Sequence, residues 1–479
     1  MLYINREERE SKENVLRLSP IVSRAYSLGK EKKFREAYET LQPYLERDEV
    51  PSYFCQPAGW TIYRYIREVM SVLLPEQAKT IFGYYFNFCP HQADMLHSCM
   101  MMQAVYYKKL HTQEFSFILF CQSWDLNCFR DEDFVETKTT GQNGKQVTYQ
   151  SLAVRVATLL YKDLKSRHSP ELAGVFLPFF DTVLQKCPDY EFTPLYIANL
   201  HAWSGDKDTA IDMFKHMLVR GQQWYLWKHL GDLLDDDRRL SCYCKALTMI
   251  DEEKYIGEIH LGLARLLAQK GDMEQSAYEL EAYTNTYQRN GWRINPLAYE
   301  IKNMIGNAEP SHDGRLFYQQ HSEVAENLVF GDYPQDDFVF TGIRPNAAGK
   351  PRACLSLRRK HLFTRMQVTP LLRKAKKGEI FACRYNAADG HVALLTMHST
   401  GQTENIRHAR PDTPATSGKE IIVAGKVKIR PDKPFAFLDK YYISPHLRQA
   451  KGLVDGQMIK ATAVEQPDGR WKIIRIMST

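Results

Sequence analysis

The chain has 479 residues, of which 44% are hydrophobic, 25% are charged and 12% are aromatic. This length and composition fit a globular protein of several domains and are unlike those of a disordered or collagen-like chain. Lysine and arginine (63 residues) outnumber aspartate and glutamate (57), which gives a net charge of +6. The sequence contains no apolar run of about 18 residues, so it predicts no transmembrane helix.

The charge is divided unequally along the chain. Residues 336–479 contain 26 basic and 12 acidic side chains, a net charge of +14, whereas residues 1–335 contain 37 and 45, a net charge of −8. Because basic segments attract phosphate groups, this asymmetry favours nucleic-acid binding by the C-terminal part. A run of basic residues can also be simply a solvent-exposed face. Charge alone therefore does not indicate nucleic-acid binding, and a second sequence signal is needed.

Residues 1–330 contain many helical patterns and few strand patterns. Four stretches have apolar spacing typical of a two-helix repeat of about 34 residues, namely 28–41, 195–218, 227–247 and 259–283. They resemble tetratricopeptide repeats (TPR); in the third, Trp227, Leu230 and Gly231 match the Trp-x-x-Leu-Gly opening of such repeats. One repeat cannot bury its apolar face alone, so we expect a stacked α-solenoid over residues 1–330.

Several segments of this half are expected to depart from regular repeats. Residues 50–190 are helical but off-consensus and predict irregular helix pairs. Residues 134–149 alternate β-forming residues around Asn143-Gly144, a tight-turn signal; a β-hairpin, a mobile loop and a disordered insertion all remain open. A helix over 315–329 is expected to cap the solenoid, with a linker at 331–337.

The C-terminal part is predicted to contain two related β-domains, at 338–400 and 418–479. One set of residues aligns with another without gaps: Gly342, Lys350, Pro351, Ala353 and Leu355 with Gly425, Lys433, Pro434, Ala436 and Leu438. Residues 368–375 (VTPLLRKA) echo 443–450 (ISPHLRQA). Such repetition predicts tandem small β-barrels, the first of them degenerate. The predicted fold class is therefore multidomain α + β, a helical solenoid followed by two barrels.

The second β-domain carries aromatic and basic side chains in alternation. Basic residues occupy alternate positions of a predicted strand, at Lys426, Lys428 and Arg430. Phe435 and Phe437 follow, two residues apart, and on a strand they would point to one face. Stacking surfaces flanked by cations are what single-stranded nucleic acid requires. The opposite interpretation is that the two phenylalanines are core residues of a barrel used for protein contact.

This domain resembles a cold-shock-type OB fold. Residues 433–438 (KPFAFL) lie where that family has Lys-Gly-Phe-Gly-Phe-Ile, 441–444 (YYIS) lie near its second aromatic motif, and 453–457 (LVDGQ) match its Leu-x-x-Gly-Gln turn. The chain departs from the family where Pro434 and Ala436 replace glycines and Ile429 replaces a stacking tryptophan. The resemblance implies binding of single-stranded nucleic acid, with RNA favoured over DNA. The residues predicted to bind it are Lys426, Lys428, Arg430, Lys433, Phe435, Phe437 and Tyr442.

In the first β-domain, Arg352 and Cys354 stand where the alignment places Phe435 and Phe437 in the second. An arginine can stack on a base and pair with phosphate, whereas a cysteine cannot replace a ring. We therefore expect this domain to be an electrostatic clamp or a structural partner, with Arg352, Arg373 and Lys374 as its contribution to nucleic-acid binding.

The sequence predicts no catalytic residue, metal site or cofactor. It contains neither a phosphate-cradling Gly-x-x-x-x-Gly-Lys-Ser/Thr motif nor a Gly-x-Ser-x-Gly elbow. Cys89, His91, His97 and Cys99 lack the knuckle spacing of structural zinc sites. The ten cysteines show no disulfide regularity and no signal sequence precedes them, so they predict reduced thiols in a cytoplasmic protein.

Together these patterns predict a non-enzymatic adaptor. A TPR-like solenoid followed by an OB domain resembles accessory proteins of bacterial conflict and mobile-element systems, which implies a role in antiviral defence or element control. The expected partners are single-stranded RNA or DNA at the barrel and a protein, or a second copy of the chain, on the concave face of the solenoid. The alternatives are a pure protein–protein scaffold and a nuclease with a site composed from several domains.

Overall fold

The computed structural model separates into a mostly helical unit, Met1–Val329, and a β-rich unit, Phe330–Thr479. This is the predicted α + β class. The residues that the structure describes are 9–89, 91–111, 113–140, 144–167, 169–250, 252–311, 314–346, 348–360, 362–388, 391–404, 420–430, 433–465 and 471–478. Within them, no helix is both long enough and apolar enough to cross a lipid bilayer.

The first part of the helical unit includes residues 50–190, for which the sequence predicted irregular helix pairs. Its helices are α1 (Lys12–Lys30), α2 (Phe34–Glu46), α3 (Cys55–Val69), α4 (Pro75–Phe88), α5 (Met95–Leu110), α6 (Phe117–Trp124), α7 (Leu152–Arg167) and α8 (Pro170–Lys186). Two short strands, β1 (Thr137–Thr140) and β2 (Gln146–Tyr149), form an antiparallel hairpin in the segment that the sequence left open. Asn143, at the expected turn, lies outside the described residues.

The second part of the helical unit contains the remaining helices. Its helices are α9 (Thr193–Ser204), α10 (Lys207–Arg220), α11 (Trp224–Asp232), α12 (Asp236–Leu247), α13 (Glu253–Lys270), α14 (Met273–Arg289), α15 (Leu297–Ile305), α16 (Gly314–His321) and α17 (Glu323–Phe330). Each of the four stretches with repeat-like spacing spans parts of two consecutive helices. One continuous apolar core runs from α1 to α9.

Two of the helix pairs are joined by the same Gly-Asp turn. Gly205 ends α9 and Gly271 ends α13, both in the left-handed region, with φ of 97° and 86°. A glycine reaches that conformation without a Cβ clash, so it can end a helix sharply. The next residue, Asp206 or Asp272, caps the following helix with its carboxylate. The sequence thus encodes both the end of one helix and the start of the next.

The predicted capping helix over 315–329 is wrong in one respect, because the chain forms two helices that break at Ser322. In a continuous helix the Ala325 N–H would bond to the His321 carbonyl. Here the buried Ser241 hydroxyl lies between them: it donates to the His321 oxygen at 2.5 Å and accepts from the Ala325 nitrogen at 2.8 Å. A side chain inserted into the backbone ladder is a recognised cause of helix kinks.

Replacing Ser241 by alanine should weaken the junction of α16 and α17. The change leaves the partly buried His321 carbonyl and the buried Ala325 N–H without their partner, which costs about 1–3 kcal/mol. Hydrogen exchange of the α17 amides should accelerate accordingly. Ser166→Ala removes an exposed hydroxyl that donates to Asp163 O and should leave α17 exchange unchanged. Equal exchange in Ser241→Ala and the unsubstituted protein would contradict this account of the break.

The first β-domain is a six-stranded sheet. Its elements are β3 (Gln335–Pro345), β4 (Pro351–Leu357), β5 (Leu362–Gln367), α18 (Pro370–Lys374), β6 (Glu379–Ala388), β7 (His391–Leu394) and β8 (His398–Thr403), with strand order β5-β4-β3-β6-β7 and β8 paired to β6. The residues 335–337, assigned by sequence to the linker, pair with β6 as part of β3. The linker is therefore shorter than predicted, since β6 supplies backbone partners that sequence patterns cannot reveal.

The second β-domain is a closed five-stranded barrel. Its elements are β9 (Glu420–Ile429), β10 (Ala436–Leu438), β11 (Tyr441–Ile443), α19 (Pro445–Ala450), β12 (Met458–Glu465) and β13 (Trp471–Ser478). The strands follow one another around the barrel in the order β10-β11-β13-β12-β9, and the β11–β13 pair is parallel. The barrel core is made of small and branched side chains, including Val427, Leu438, Ile443, Ala461 and Ile473.

The two β-domains share their connectivity. In each, the first strand pairs with the second and the fourth, and a short helix joins the third strand to the fourth. Those helices begin alike, because Thr369 caps α18 and Ser444 caps α19, each followed by a proline at the first helical position. The repetition seen in residues 368–375 and 443–450 thus corresponds to the same element in both domains.

The ungapped alignment is nevertheless wrong for the first strand of each domain. The alignment equates Gly342 with Gly425 and Cys354 with Phe437. In the strand pairing, however, Gly342 lies opposite Cys354, whereas the residue opposite Phe437 is Lys428 and not Gly425. Gly342 has a φ of 123° beside a β-bulge, whereas Gly425 has an ordinary φ, and a Cβ atom added there would lie 3.3 Å from a side-chain carbon of Leu438. The two positions favour glycine for different reasons. Gly342 adopts a backbone conformation with positive φ, and Gly425 leaves little space for a side chain beside Leu438.

Candidate nucleic-acid interface

Three aromatic side chains of the barrel form a compact group, here called the aromatic triangle: Phe435, Phe437 and Tyr442. Their ring centroids lie 5.6 Å (Phe435–Phe437), 5.6 Å (Phe435–Tyr442) and 5.9 Å (Phe437–Tyr442) apart. Each ring is half-buried, and none belongs to the barrel core. The triangle is therefore an outer surface of the barrel and not part of its interior.

The strand register explains why these rings point outward. Ala436 and Leu438, the neighbours of Phe437 on β10, are buried in the core, so the alternation of a strand places Phe437 on the opposite face. On β11, the buried Ile443 likewise leaves Tyr442 outside. Phe437 and Tyr442 are directly opposite each other in the pairing of the two strands. Residues so paired share one face of a sheet.

A lysine stands at each end of this pair of rings. Lys428 on β9 is opposite Phe437, and Lys472 on β13 is opposite Tyr442. The four side chains form a row across four neighbouring strands, with a cation on either side of two rings. Lys472 was missed by the sequence analysis, because its place beside Tyr442 depends on a parallel pairing between distant strands. Its alternation with the buried Ile473 was the available signal.

The remaining predicted cations of this domain surround the row. Lys426 and Lys428 are exposed at alternate positions of β9, so they share its outer face, and Arg430 is exposed directly after the end of that strand. Lys433 is exposed in the segment before β10, and its carbonyl oxygen accepts a hydrogen bond from Arg448 Nη1 at 2.9 Å. Arg448, on α19, thus attaches the segment that presents Phe435 to the helix, a role that the sequence did not suggest.

The Leu-x-x-Gly-Gln turn holds the end of β9 in place. Val427 N–H donates to Gln457 O at 2.8 Å, and Gly456 N–H donates to Val427 O at 2.7 Å. Asp455 Oδ1 accepts from Ile429 N–H at 2.6 Å. Gly456 takes a φ of 78°, which a glycine adopts without strain. These bonds fix the strand segment that carries Lys428.

The other predicted binding residues lie on the first β-domain. Arg352 is half-buried on β4, opposite Arg344 on β3 and Gln367 on β5. Arg373 and Lys374 are exposed in the last turn of α18. The structure thus divides the predicted site residues into two groups on two sheets, and nothing in the described contacts joins Arg352 to the aromatic triangle.

This first domain has its own outward pair of a ring and a cation. The guanidinium of Arg365 lies 5.4 Å from the ring centroid of Phe363, which is 42% exposed. Arg365 is opposite Cys354 on β4, and Cys354 is fully buried. Sequence comparison with the second domain overlooked Phe363, because it sits on the third strand and not at the position aligned with Phe437.

No metal site accompanies these surfaces in the part of the chain that the structure describes, where no three His, Cys, Asp or Glu residues are arranged to hold an ion. His97, one of the residues weighed as a zinc ligand, instead uses both ring nitrogens for hydrogen bonds, to Tyr85 Oη at 2.9 Å and to Trp124 O at 2.8 Å. Cys89 donates to Cys55 O at 3.6 Å.

Comparison with known proteins adds one match. A family model described as "Domain of unknown function (DUF7017)" matches residues 191–325, which lie within the helical unit from α9 into α17. No curated protein sequence matches the chain. The family description names no activity.

Truncating the rings should cost the barrel less stability than truncating its core. Leu438→Ala removes a fully buried side chain and is expected to cost about 2–5 kcal/mol. Phe437→Ala removes a half-buried ring, for which about 1–1.5 kcal/mol is expected. Hydrogen exchange of the β9–β13 amides in the full-length protein measures both. A loss in Phe437→Ala as large as that in Leu438→Ala would show that the ring is a core residue after all.

Proposed function

We propose that the C-terminal barrel is a cold-shock-like OB fold that binds single-stranded nucleic acid, RNA in preference to DNA. In this proposal the helical unit is a TPR-like solenoid that binds a protein partner, so the whole chain is a non-enzymatic adaptor. The observation that carries the proposal is the row Lys428–Phe437–Tyr442–Lys472, with Phe435 beside it.

The row supplies both contacts that an unpaired strand needs. Bases stack on aromatic rings with about 1–3 kcal/mol for each base, whatever the sequence, because every base has a π-face. Lysines on both sides of the rings can pair with the phosphates that precede and follow a stacked base. The net charge of +14 over residues 336–479 adds a long-range attraction of the same sign.

The topology of the barrel supports the OB assignment. Five strands close in an order that pairs the first with the fourth and the third with the fifth, and the helix lies between the third and the fourth. In OB folds the face of strands 2 and 3 binds oligonucleotides. The second and third strands here, β10 and β11, are the ones that carry Phe437 and Tyr442.

Loss of the rings should abolish most of the binding. We expect the double variant Phe435→Ala/Phe437→Ala to bind a labelled ten-nucleotide oligouridylate roughly a hundredfold more weakly, since each stacked base contributes about 1–3 kcal/mol. Fluorescence anisotropy on the full-length protein, with oligodeoxythymidylate as the DNA arm, provides the dissociation constants.

The matched control for ring loss is Tyr299→Ala, which removes an aromatic side chain that is 65% exposed on α15. It should leave the affinity unchanged. If neither probe binds the unsubstituted protein at low salt, or if the double variant binds as tightly as that protein, the barrel is a protein-contact module and the chain is a scaffold.

The contribution of Lys428 and Lys472 should be visible in how the binding constant depends on salt concentration. For single strands, the logarithm of the binding constant falls with the logarithm of the salt concentration by about 0.7 for each phosphate contact. Lys428→Gln and Lys472→Gln should each reduce this slope by about that amount. Lys207→Gln changes an exposed lysine of α10 and should not alter the slope; a reduction in this control equal to that of Lys428→Gln would refute a specific role for the row.

A further inference from the structure

A cavity of about 310 Å³ lies in the helical unit, and its lining includes no residue of the proposed nucleic-acid interface. Its walls come from the end of α12 and from α13, α14 and α16. This volume is at the lower end of the range for small-molecule sites, which bury most of a ligand's surface. The cavity is therefore large enough for a compact ligand.

Helix α16 closes part of this space. Its first residue, Gly314, is buried against the ring of Tyr278 on α14, where a Cβ atom would lie only 2.3 Å from a ring carbon. Because α16 docks so closely on α14, the site is a bounded pocket at this point and not an open groove. Such a shape suits a compact molecule better than an extended peptide.

A buried hydrogen-bond network forms one wall of the pocket. Glu279 has no exposed surface; its Oε1 accepts from Gln275 at 2.9 Å and from Tyr318 at 2.8 Å, and its Oε2 lies 2.6 Å from His260 Nδ1. Burial and the neighbouring Glu279 raise the pKa of Tyr318, so its hydroxyl stays protonated and donates. The carboxylate thus accepts three hydrogen bonds, which is how a buried charge is stabilised.

This network orients His260 toward the pocket. His260 Nδ1 faces the Glu279 carboxylate, which can only accept a hydrogen bond, so the imidazole proton is on Nδ1. The hydrogen-bond partner of one ring nitrogen thus selects the tautomer of a histidine. His260 lines the pocket although it is only 7% exposed. Its other nitrogen, Nε2, is then the polar atom available to a ligand. The Glu279 side chain fixes its direction.

Apart from the Glu279 carboxylate behind His260, the charged side chains at the pocket are cationic. Arg289, in the last turn of α14, and Arg315, in the first turn of α16, both line it. Among the described residues of the lining there is no aspartate or glutamate. Aliphatic side chains, Leu247, Ile250 and Ile256, cover another part of the wall. The lining therefore combines two guanidinium groups and a histidine with an apolar surface.

We propose that this pocket binds a small organic phosphate of about the size of a mononucleotide. The guanidinium groups and His260 match the charge and the acceptor oxygens of a phosphate monoester, which arginine recognises through paired N–H donors. The aliphatic wall and Tyr278 contact the organic part. This site is independent of the proposed nucleic-acid interface, because it lies in the other compact unit of the chain.

Calorimetric titration of the full-length protein with AMP tests the proposal. To remove binding at the barrel, the titration uses the Phe435→Ala/Phe437→Ala variant beside the unsubstituted protein, and both should bind AMP alike. Adenosine, which lacks the phosphate, should bind at least tenfold more weakly. Inorganic phosphate should also bind more weakly, because it lacks the organic part that the apolar wall covers.

Substitutions of pocket residues provide a second test of the proposal. Arg289→Gln/Arg315→Gln changes two exposed side chains and should weaken AMP binding by roughly tenfold or more, with the unfolding temperature measured beside it as the check on folding. His260→Gln keeps an N–H group for Glu279 and should also weaken binding. Arg265→Gln, an exposed change on α13 outside the pocket, is the control and should have no effect.

Three results would overturn the proposal. The first is no heat of binding with AMP at millimolar concentration. The second is AMP affinity that is the same in the arginine double variant as in the Arg265→Gln control. The third is equal affinity for succinate, a dicarboxylate of similar charge, which would show that the pocket does not select phosphate.

Discussion

The surface chemistry of the barrel depends on one constraint, the register in which β9, β10 and β11 pair. In a small closed barrel, the side chains on one face of each strand form the core, and the alternate side chains must then face outward. With Ala436, Leu438 and Ile443 inside, the rings of Phe437 and Tyr442 cannot be anywhere but on the outer face. A slip of one residue would bury the rings and expose the core.

The same connectivity gives a different surface in the first β-domain. There, β4 is a seven-residue strand and its buried positions are occupied by Ala353, Leu355 and Leu357. Arg352 and Cys354 fall on the other face, but the cysteine is covered and the exposed ring of this face is Phe363 on the next strand. Two domains that share the connectivity of their first four strands thus differ in which strand supplies an aromatic side chain.

The helical unit shows how polar side chains shape an otherwise apolar stack of helices. Ser241 replaces a backbone hydrogen bond at the junction of α16 and α17 and so sets the direction in which α17 leaves. Glu279 binds α14 to α13 through His260 and to α16 through Tyr318. Buried groups of this kind stabilise a structure only when all their partners are present, so they specify one arrangement of the helices over others.

The sequence by itself determined the α + β division, the Gly-Asp turns between helices and the alternation that sets Lys426 and Lys428 on one strand face. These features follow from local geometry, namely side-chain period, caps and glycine conformations, which short stretches of sequence encode. Only the tertiary structure placed Lys472 beside Tyr442, moved residues 335–337 into a strand, broke the helix at Ser322 and brought His260 to Glu279 in the wall of a pocket. Each of these depends on a partner distant in the chain. The physical reason is that a strand register, an inserted hydroxyl or a buried carboxylate is selected by the whole packed core and leaves no mark on the residues next to it.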